Sequence, residues 1–232
     1  ARVTGEVKGN VTLRKQQYQV SENSEKSISI ARNFIFGKVY NARWILERAV
    51  RDYPLRVDVN KLKEKSRFLY HSLQEIRDCS DAPKLLGLEG EAASVYFSVF
   101  DQLILQQKED FSFGERSRRP PLNKVNAMLS FAYSLLAGMC GSALEVVGLD
   151  PYVGFYHTDR PGRMSLALDV MEELRGVMAD RFVITMINKR IIKKENFIQK
   201  ENGAVILDDN GRKLFLSAWQ ERQQDMIMHP FL

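Results

Sequence analysis

The sequence predicts a mainly α-helical domain, a multi-helix bundle carrying one small β-hairpin. Two patterns support this. Apolar residues recur at helical spacing through most of the chain, as in Ile28, Ala31, Ile35, Val39, Ala42, Ile45, Leu46 and Ala49. Strand-like alternation is confined to residues 197–207, around the turn Glu201-Asn202-Gly203. A chain of 232 residues with 44% hydrophobic and 27% charged content also has enough apolar material for a sizeable core.

The elements follow in order. Helical pattern begins near Asn10, and Ser24 is placed to cap a long helix that ends before Pro54. A second helix covers residues 59–79, with Leu62, Leu69, Leu73 and Ile76 inward. Ser80 or Asp81 then caps a short turn stopping at Gly87, and a further helix starts near Glu89. Residues 108–122 form a polar, basic, proline-containing loop, after which Asn123 caps an apolar helix over 125–147. An extended piece over 152–156 delivers His157 to a helix bearing Asp169 and Glu172. Another helix spans 179–190, and after the hairpin a last one spans 210–228. Trp44 and Trp219 fall in helical stripes and read as core. There is no internal repeat and no low-complexity tract.

Several classes are disfavoured. No signal-peptide pattern is present, and no run approaches a membrane span, since residues 128–147 are interrupted by Ser130, Ser134, Ser142 and Glu145. Cys79 and Cys140 are far apart and outside metal spacing, which suits buried free thiols in the cytoplasm. The net charge of +5 and pI near 9.1 lean toward a polyanionic partner. The basic residues cluster at 32–51, 56–67, 116–124 and 189–194. Such clusters are often wet helix faces, but four beside a metal site favour nucleic acid.

The stretch richest in chemistry is residues 157–175, HTDRPGRMSLALDVMEELR. Asp169 and Glu172 stand three apart and share a helix face, so both carboxylates converge where the loop returns His157. One imidazole with several carboxylate oxygens suits Mn²⁺ or Mg²⁺ better than Zn²⁺. The plainer alternative is a solvated face, because both acids lie opposite the stripe Ala167, Val170, Met171 and Leu174. Glu89, set between Gly87 and Gly90, is a third carboxylate candidate; the alternative is that it complements a helix dipole. The glycines would serve a ligand site or a tight helix crossing equally. The pairs His71–Glu75 and Asp225–His229 have helix-face spacing and read as surface.

Four ordered segments then carry a resemblance: GLEGEAASVYF at 87–97, RRPPLNKVNAMLSFAYSLL at 118–136, GLDPYVGFYH at 148–157 and RPGRMSLALDVMEELR at 160–175. With IARNFIFGKVYNARWILER at 30–48 and GAVILDDNGRKLFLSAWQ at 203–220, the chain resembles the CRISPR-associated integrase of spacer acquisition, the Cas protein numbered one. Its flavour is that of type I-C systems.

The resemblance implies a metal-dependent DNA endonuclease and integrase that inserts new spacers by phosphoryl transfer, a 3′-hydroxyl attacking a repeat-end phosphodiester. It implies Mg²⁺ or Mn²⁺ on Glu89, His157 and Glu172, with Asp169 in a supporting role. Arg118, Arg119 and Lys124 become contacts to the DNA backbone, and Arg160 and Arg163 lie nearer the reacting phosphate. Tyr133 and Asn126 match family positions, although packing and capping explain both. A neutral His157 ligand needs its second nitrogen oriented, for which Asp169 and Asp159 are candidates.

The implied partners are double-stranded and branched DNA, the small second Cas protein, and, in a longer protein, a second copy; no membrane is implied. The family opens with a β-domain, of which only residues 1–10 would be a remnant, leaving 11–232 as the helical catalytic domain. Both ends are expected to be cuts in a longer chain. Two rival readings are a catalytically silent DNA-binding scaffold and a nuclease for branched repair intermediates.

Overall fold

The computed structural model describes residues 11–226. Among them are eight α-helices: α1 (Val11–Glu22), α2 (Ser24–Asp52), α3 (Val59–Arg77), α4 (Ala82–Phe97), α5 (Lys124–Val146), α6 (Ser165–Leu174), α7 (Arg181–Asn188) and α8 (Asp209–Gln223). Strands β1 (Phe197–Gln199) and β2 (Val205–Leu207) form an antiparallel hairpin in which Phe197 faces Leu207. The mainly helical expectation and the hairpin therefore both hold. The proposed β-domain remnant at 1–10, the helix end at Met228 and the His229 pairing lie outside the described residues.

Five helices start on an Asx cap. Asn23, Asp58, Asp81, Asn123 and Asp208 sit in extended backbone, and each accepts a hydrogen bond from the N–H three residues on. The first cap is thus Asn23, because Ser24 is already helical. Asp81 begins one continuous helix that runs through Gly87 and Gly90 to Phe97, so Glu89 lies mid-helix and not at a helix start. A Cβ on either glycine would meet nothing within 4 Å, which excludes the tight crossing and leaves an open flank beside Glu89.

Helix α2 organises the packing, touching α1, α3, α4 and α6, while α6 also packs on α5. The core draws on Ile35, Leu46, Leu62, Leu69, Ile76, Leu85, Met128 and Leu129, all fully buried. Trp219 joins them, but Trp44 does not. It is 48% exposed, on a face of α2 turned away from the Ile35–Val39–Ala42–Leu46 stripe, and lies against the Arg43 guanidinium at 5.3 Å. His71 and Glu75 are exposed, as expected, and Asp225 pairs with Arg222. Both cysteines are buried free thiols.

Two further expectations need correction. Helix α5, at 23 residues and mean hydropathy 1.5 over its most apolar window, is long and apolar enough to cross a membrane by length and composition. Core helices have the same composition, and here Val125, Met128, Leu129, Ala132, Leu136, Cys140 and Leu144 are buried in a helix that packs on α6, α7 and β2. The break expected between α6 and α7 is instead a π-helical segment, Arg175–Asp180, that keeps the chain helical from Ser165 to Asn188. Such widened turns often accompany functional sites.

Candidate active site

The loop after α5 has no strand over residues 152–156, contrary to the extended piece expected. Side chains hold it instead. Gln17 of α1 donates to the carbonyls of Asp150 (2.8 Å) and Val153 (2.9 Å), and Ser27 of α2 donates to that of Phe155 (3.0 Å). Asp169 gathers the tip. Its Oδ2 accepts the N–H groups of Phe155 (2.7 Å) and Tyr156 (2.9 Å), and its Oδ1 accepts that of His157 (2.9 Å). The same Oδ1 lies 2.7 Å from Nδ1 of His157. A Cβ on Gly154 would fall 2.8 Å from Ser165 Cβ and 2.9 Å from Asp169 Oδ2, so only glycine lets the loop wrap so closely.

Asp169 is fully buried, with both oxygens committed. An ionised carboxylate only accepts, so this contact puts a proton on Nδ1 and selects the tautomer in which Nε2 has the lone pair for a ligand. Asp159 has another task, accepting the N–H of Gly154 (3.1 Å).

Glu172 lies one turn on and is 3% exposed. Lys38 of α2 reaches its Oε2 at 2.6 Å and also pairs with Glu89 of α4, while Arg175 takes Oε1 of Glu172. Burial pushes the Glu172 carboxyl up, but the charges of Lys38 and then Arg175 outweigh it and hold the group below the usual glutamate range. Tyr156 is pushed well above its ordinary value by burial and then by the charges of Glu89, Glu172 and Asp169. Negative charge from two helices, α4 and α6, thus meets around Tyr156, the residue before His157.

The fit to a divalent cation rests on this donor set. Two carboxylates and one imidazole match a hard or borderline metal. Glu172 Oε2 is a buried oxygen without a well-formed hydrogen bond, facing only the lysine cation. Among the described residues, no three such side chains converge on an ion as they stand. The space between Glu89 and Glu172 holds the Lys38 ammonium, a positive charge where an ion would be gripped.

A buried polar chain supports the centre. The Arg175 guanidinium lies 4.7 Å from the Tyr133 ring, and that of Arg116 lies 5.3 Å from it. The Tyr133 hydroxyl donates to Asp180 Oδ1 at 2.6 Å. Asn126 is wholly buried and accepts from Arg116 (2.7 Å) while donating to the Glu115 carbonyl (2.8 Å), so it fixes the arginine loop and does not cap α5.

The cations divide. A groove of about 550 Å³ runs from Glu89 past Gly90 and Gly114 to Arg116 and Arg118. Arg119 is exposed beside Arg118. Lys124 is turned elsewhere, donating to the Asp110 carbonyl (3.1 Å) in a separate hollow against Phe197 and Val205 of the hairpin. Arg163 donates to the Thr158 carbonyl and braces the His157 loop, while Arg160 is exposed on that loop. Sequence reasoning missed Lys38, Tyr156, Arg175 and Asp180. Lys38 left one signal: it sits three after Ile35 and four before Ala42, a charge inside an apolar stripe.

Comparison with known proteins decides the family. Residues 1–221 match the model of CRISPR associated protein Cas1. The chain belongs to the Cas1 family. Its Cas1 relatives include the CRISPR-associated endonuclease Cas1 2 of Rhodospirillum rubrum, 50% identical over all of this chain and 68% of the relative. The CRISPR-associated endonuclease Cas1 1 of Chlorobaculum tepidum is 46% identical over 98% of this chain and 66% of the relative. The chain therefore spans about two thirds of the length of these Cas1 proteins. Among solved structures, a casposase bound to integration product superposes with a TM-score of 0.80 at 26% identity, covering 95% of this chain and 62% of the other. A chain of a Cas6-RT-Cas1–Cas2 complex matches with a TM-score of 0.80 at 25% identity, over 94% of this chain and 23% of the other.

Proposed function

We propose that this Cas1 domain carries the integrase centre of spacer acquisition: a DNA 3′-hydroxyl attacks a phosphodiester at the repeat end, and one strand is exchanged for another. The observation that carries the reading is that one ammonium, Lys38, joins Glu89 and Glu172, with an Asp169-oriented His157 on the loop over α6 and an open, arginine-lined groove leading away from Glu89. The relatives support the same reading: they are CRISPR-associated endonucleases Cas1, and a structural neighbour is a casposase bound to integration product.

Glu89, His157 and Glu172 are the residues that would hold Mg²⁺ or Mn²⁺, which when bound supplies Lewis-acid polarisation of the phosphodiester. The protein's own part is positioning. Asp169 fixes the His157 tautomer and holds the loop tip. Arg116 and Arg118 neutralise the phosphates of a strand lying in the groove, and Arg175 stabilises the ionised Glu172. In strand transfer one P–O bond forms to the incoming 3′-oxygen and one breaks to the displaced strand, so no external energy source is needed. With water as nucleophile, the same centre cuts.

The partners proposed are double-stranded and branched DNA, a small Cas2-type companion and a second Cas1 copy, in keeping with the Cas1–Cas2 assembly of a structural neighbour. Two buried free thiols and a DNA substrate suit the cytoplasm.

The test is strand transfer of a labelled branched DNA with Mn²⁺, with and without EDTA, comparing wild type with Glu89→Ala. Metal-dependent joining that the variant loses is expected. DNA binding without turnover in both proteins would favour a silent scaffold. Cutting without joining would favour a repair nuclease.

A further inference from the structure

We propose that Lys38 is a resident counter-cation of the metal centre, displaced when the ion enters and received by the Tyr96–Asp180 cavity behind it. This rests on the metal-site reading above and adds a residue that competes with the metal. The Lys38 ammonium pairs with Glu89 and lies 2.6 Å from Oε2 of Glu172, so it touches both carboxylates assigned to the ion. Its side chain is only 13% exposed, and those of Glu89 and Glu172 are 16% and 4% exposed. Water screens little of this contact.

Charge counting shows why the two cations exclude each other. Glu89 and Glu172 bring two negative charges, and Lys38 with Arg175 already balances them. A divalent ion sits about 2.1 Å from its carboxylate oxygens, and an ammonium on those same oxygens would then stand in direct repulsion with it. Arg175 cannot be the one to leave. It holds the far oxygen of Glu172 and its guanidinium lies on the Tyr133 ring.

Lys38 does have somewhere to go. A small cavity of about 30 Å³, the space of roughly one water, lies between α2, α4 and the π-helical segment, lined by Lys38, Tyr96, Arg175 and Asp180. The Tyr96 hydroxyl is buried there beside Asp180, without a well-formed hydrogen bond. Asp180 is wholly buried and receives a hydrogen bond from Tyr133. A buried hydroxyl oxygen and a buried carboxylate are acceptors of the kind a displaced ammonium with three donors requires. An unbranched four-carbon stem allows the move, whereas a planar arginine fork would be obstructed.

The experiment is calorimetric titration of Mn²⁺ into metal-free wild type, Lys38→Met, Lys38→Arg, Asp180→Asn and Glu89→Gln, each confirmed folded by circular dichroism. Removing the competing charge in Lys38→Met tightens Mn²⁺ binding about tenfold or more. Lys38→Arg weakens it, because the larger cation stays in place. Asp180→Asn also weakens it, because the receiving charge is gone. Equal or weaker binding in Lys38→Met overturns the proposal; should that variant fail to fold, unchanged or tighter binding in Lys38→Arg does so. Unchanged affinity in Asp180→Asn overturns the receiving cavity. Glu89→Gln separates the two readings: Mn²⁺ binding that ignores this change refutes the metal site itself.

Discussion

Asp169→Asn is the sharpest probe of how the loop is held, because the carboxylate does four jobs at once. Its Oδ2 accepts from Phe155 and Tyr156, and its Oδ1 accepts from the His157 backbone and ring. An asparagine presents one oxygen and one NH₂ in the same volume. Two of the four donors then face another donor in a fully buried position. Each buried, unsatisfied donor costs about 1–3 kcal/mol, which puts the variant about 4 kcal/mol below wild type. For a domain of this size that lowers Tm by about 8–16 °C. Thermal unfolding at pH 7 reads the global cost, and hydrogen exchange at the amides of residues 155–157 reads the local one. A wild-type Tm together with unchanged protection of those three amides would refute the reasoning, since the loop would then be held by Gln17 and Ser27 alone.

Two further outcomes follow from neighbouring residues. Burial lifts the Asp180 carboxyl from 3.8 to about 6, against the pull of the Tyr133 hydrogen bond and Arg175. A carboxyl whose folded pKa is raised binds its proton more tightly when folded, so stability falls as pH rises from about 4 to about 6, by about 3 kcal/mol in all. Asp180→Asn should therefore raise the urea midpoint above wild type at pH 8, with the gap closing near pH 4; a pH-independent gap would sink this account. In DNA binding, Arg118→Ala should flatten the dependence of log K on log salt by about 0.9, the share of one phosphate contact, while Lys124→Ala should leave it unchanged. The reverse ranking would mean that the hairpin hollow, and not the Glu89 groove, carries the strand.

Much of the helical frame was legible because it rests on local chemistry. The Ile35–Val39–Ala42–Leu46 stripe, the Asn123 cap and the Asn202-Gly203 turn declare their elements without any knowledge of neighbours. Errors arose where tertiary packing overrode a local signal. Gly87 and Gly90 each weaken a helix by up to about 1 kcal/mol, and together they read as a boundary. The helix continues because Leu85, Ala92 and Tyr96 bury its other face. Trp44 read as core because it falls in a helical stripe, yet its side of α2 is turned outward. The π-helical segment has no sequence marker; it sets Arg175 and Asp180 toward the same tyrosine, which no simple 3.6-residue count anticipates.

The site shows the same limit in a sharper form. Asp169 and Glu172 share one helix face, and spacing alone assigns them a common role. What covers each of them separates the two. Asp169 is closed over by a loop whose donors use both of its oxygens, so it has nothing left to offer an ion without releasing His157. Glu172 faces two cations, and one of them is a flexible lysine that an incoming metal can replace. On the proposed reading this asymmetry makes Glu172 the ligand and Asp169 the residue that positions His157. It depends on where α2 and the loop after α5 cross α6, which is a property of the packed domain and of no single segment.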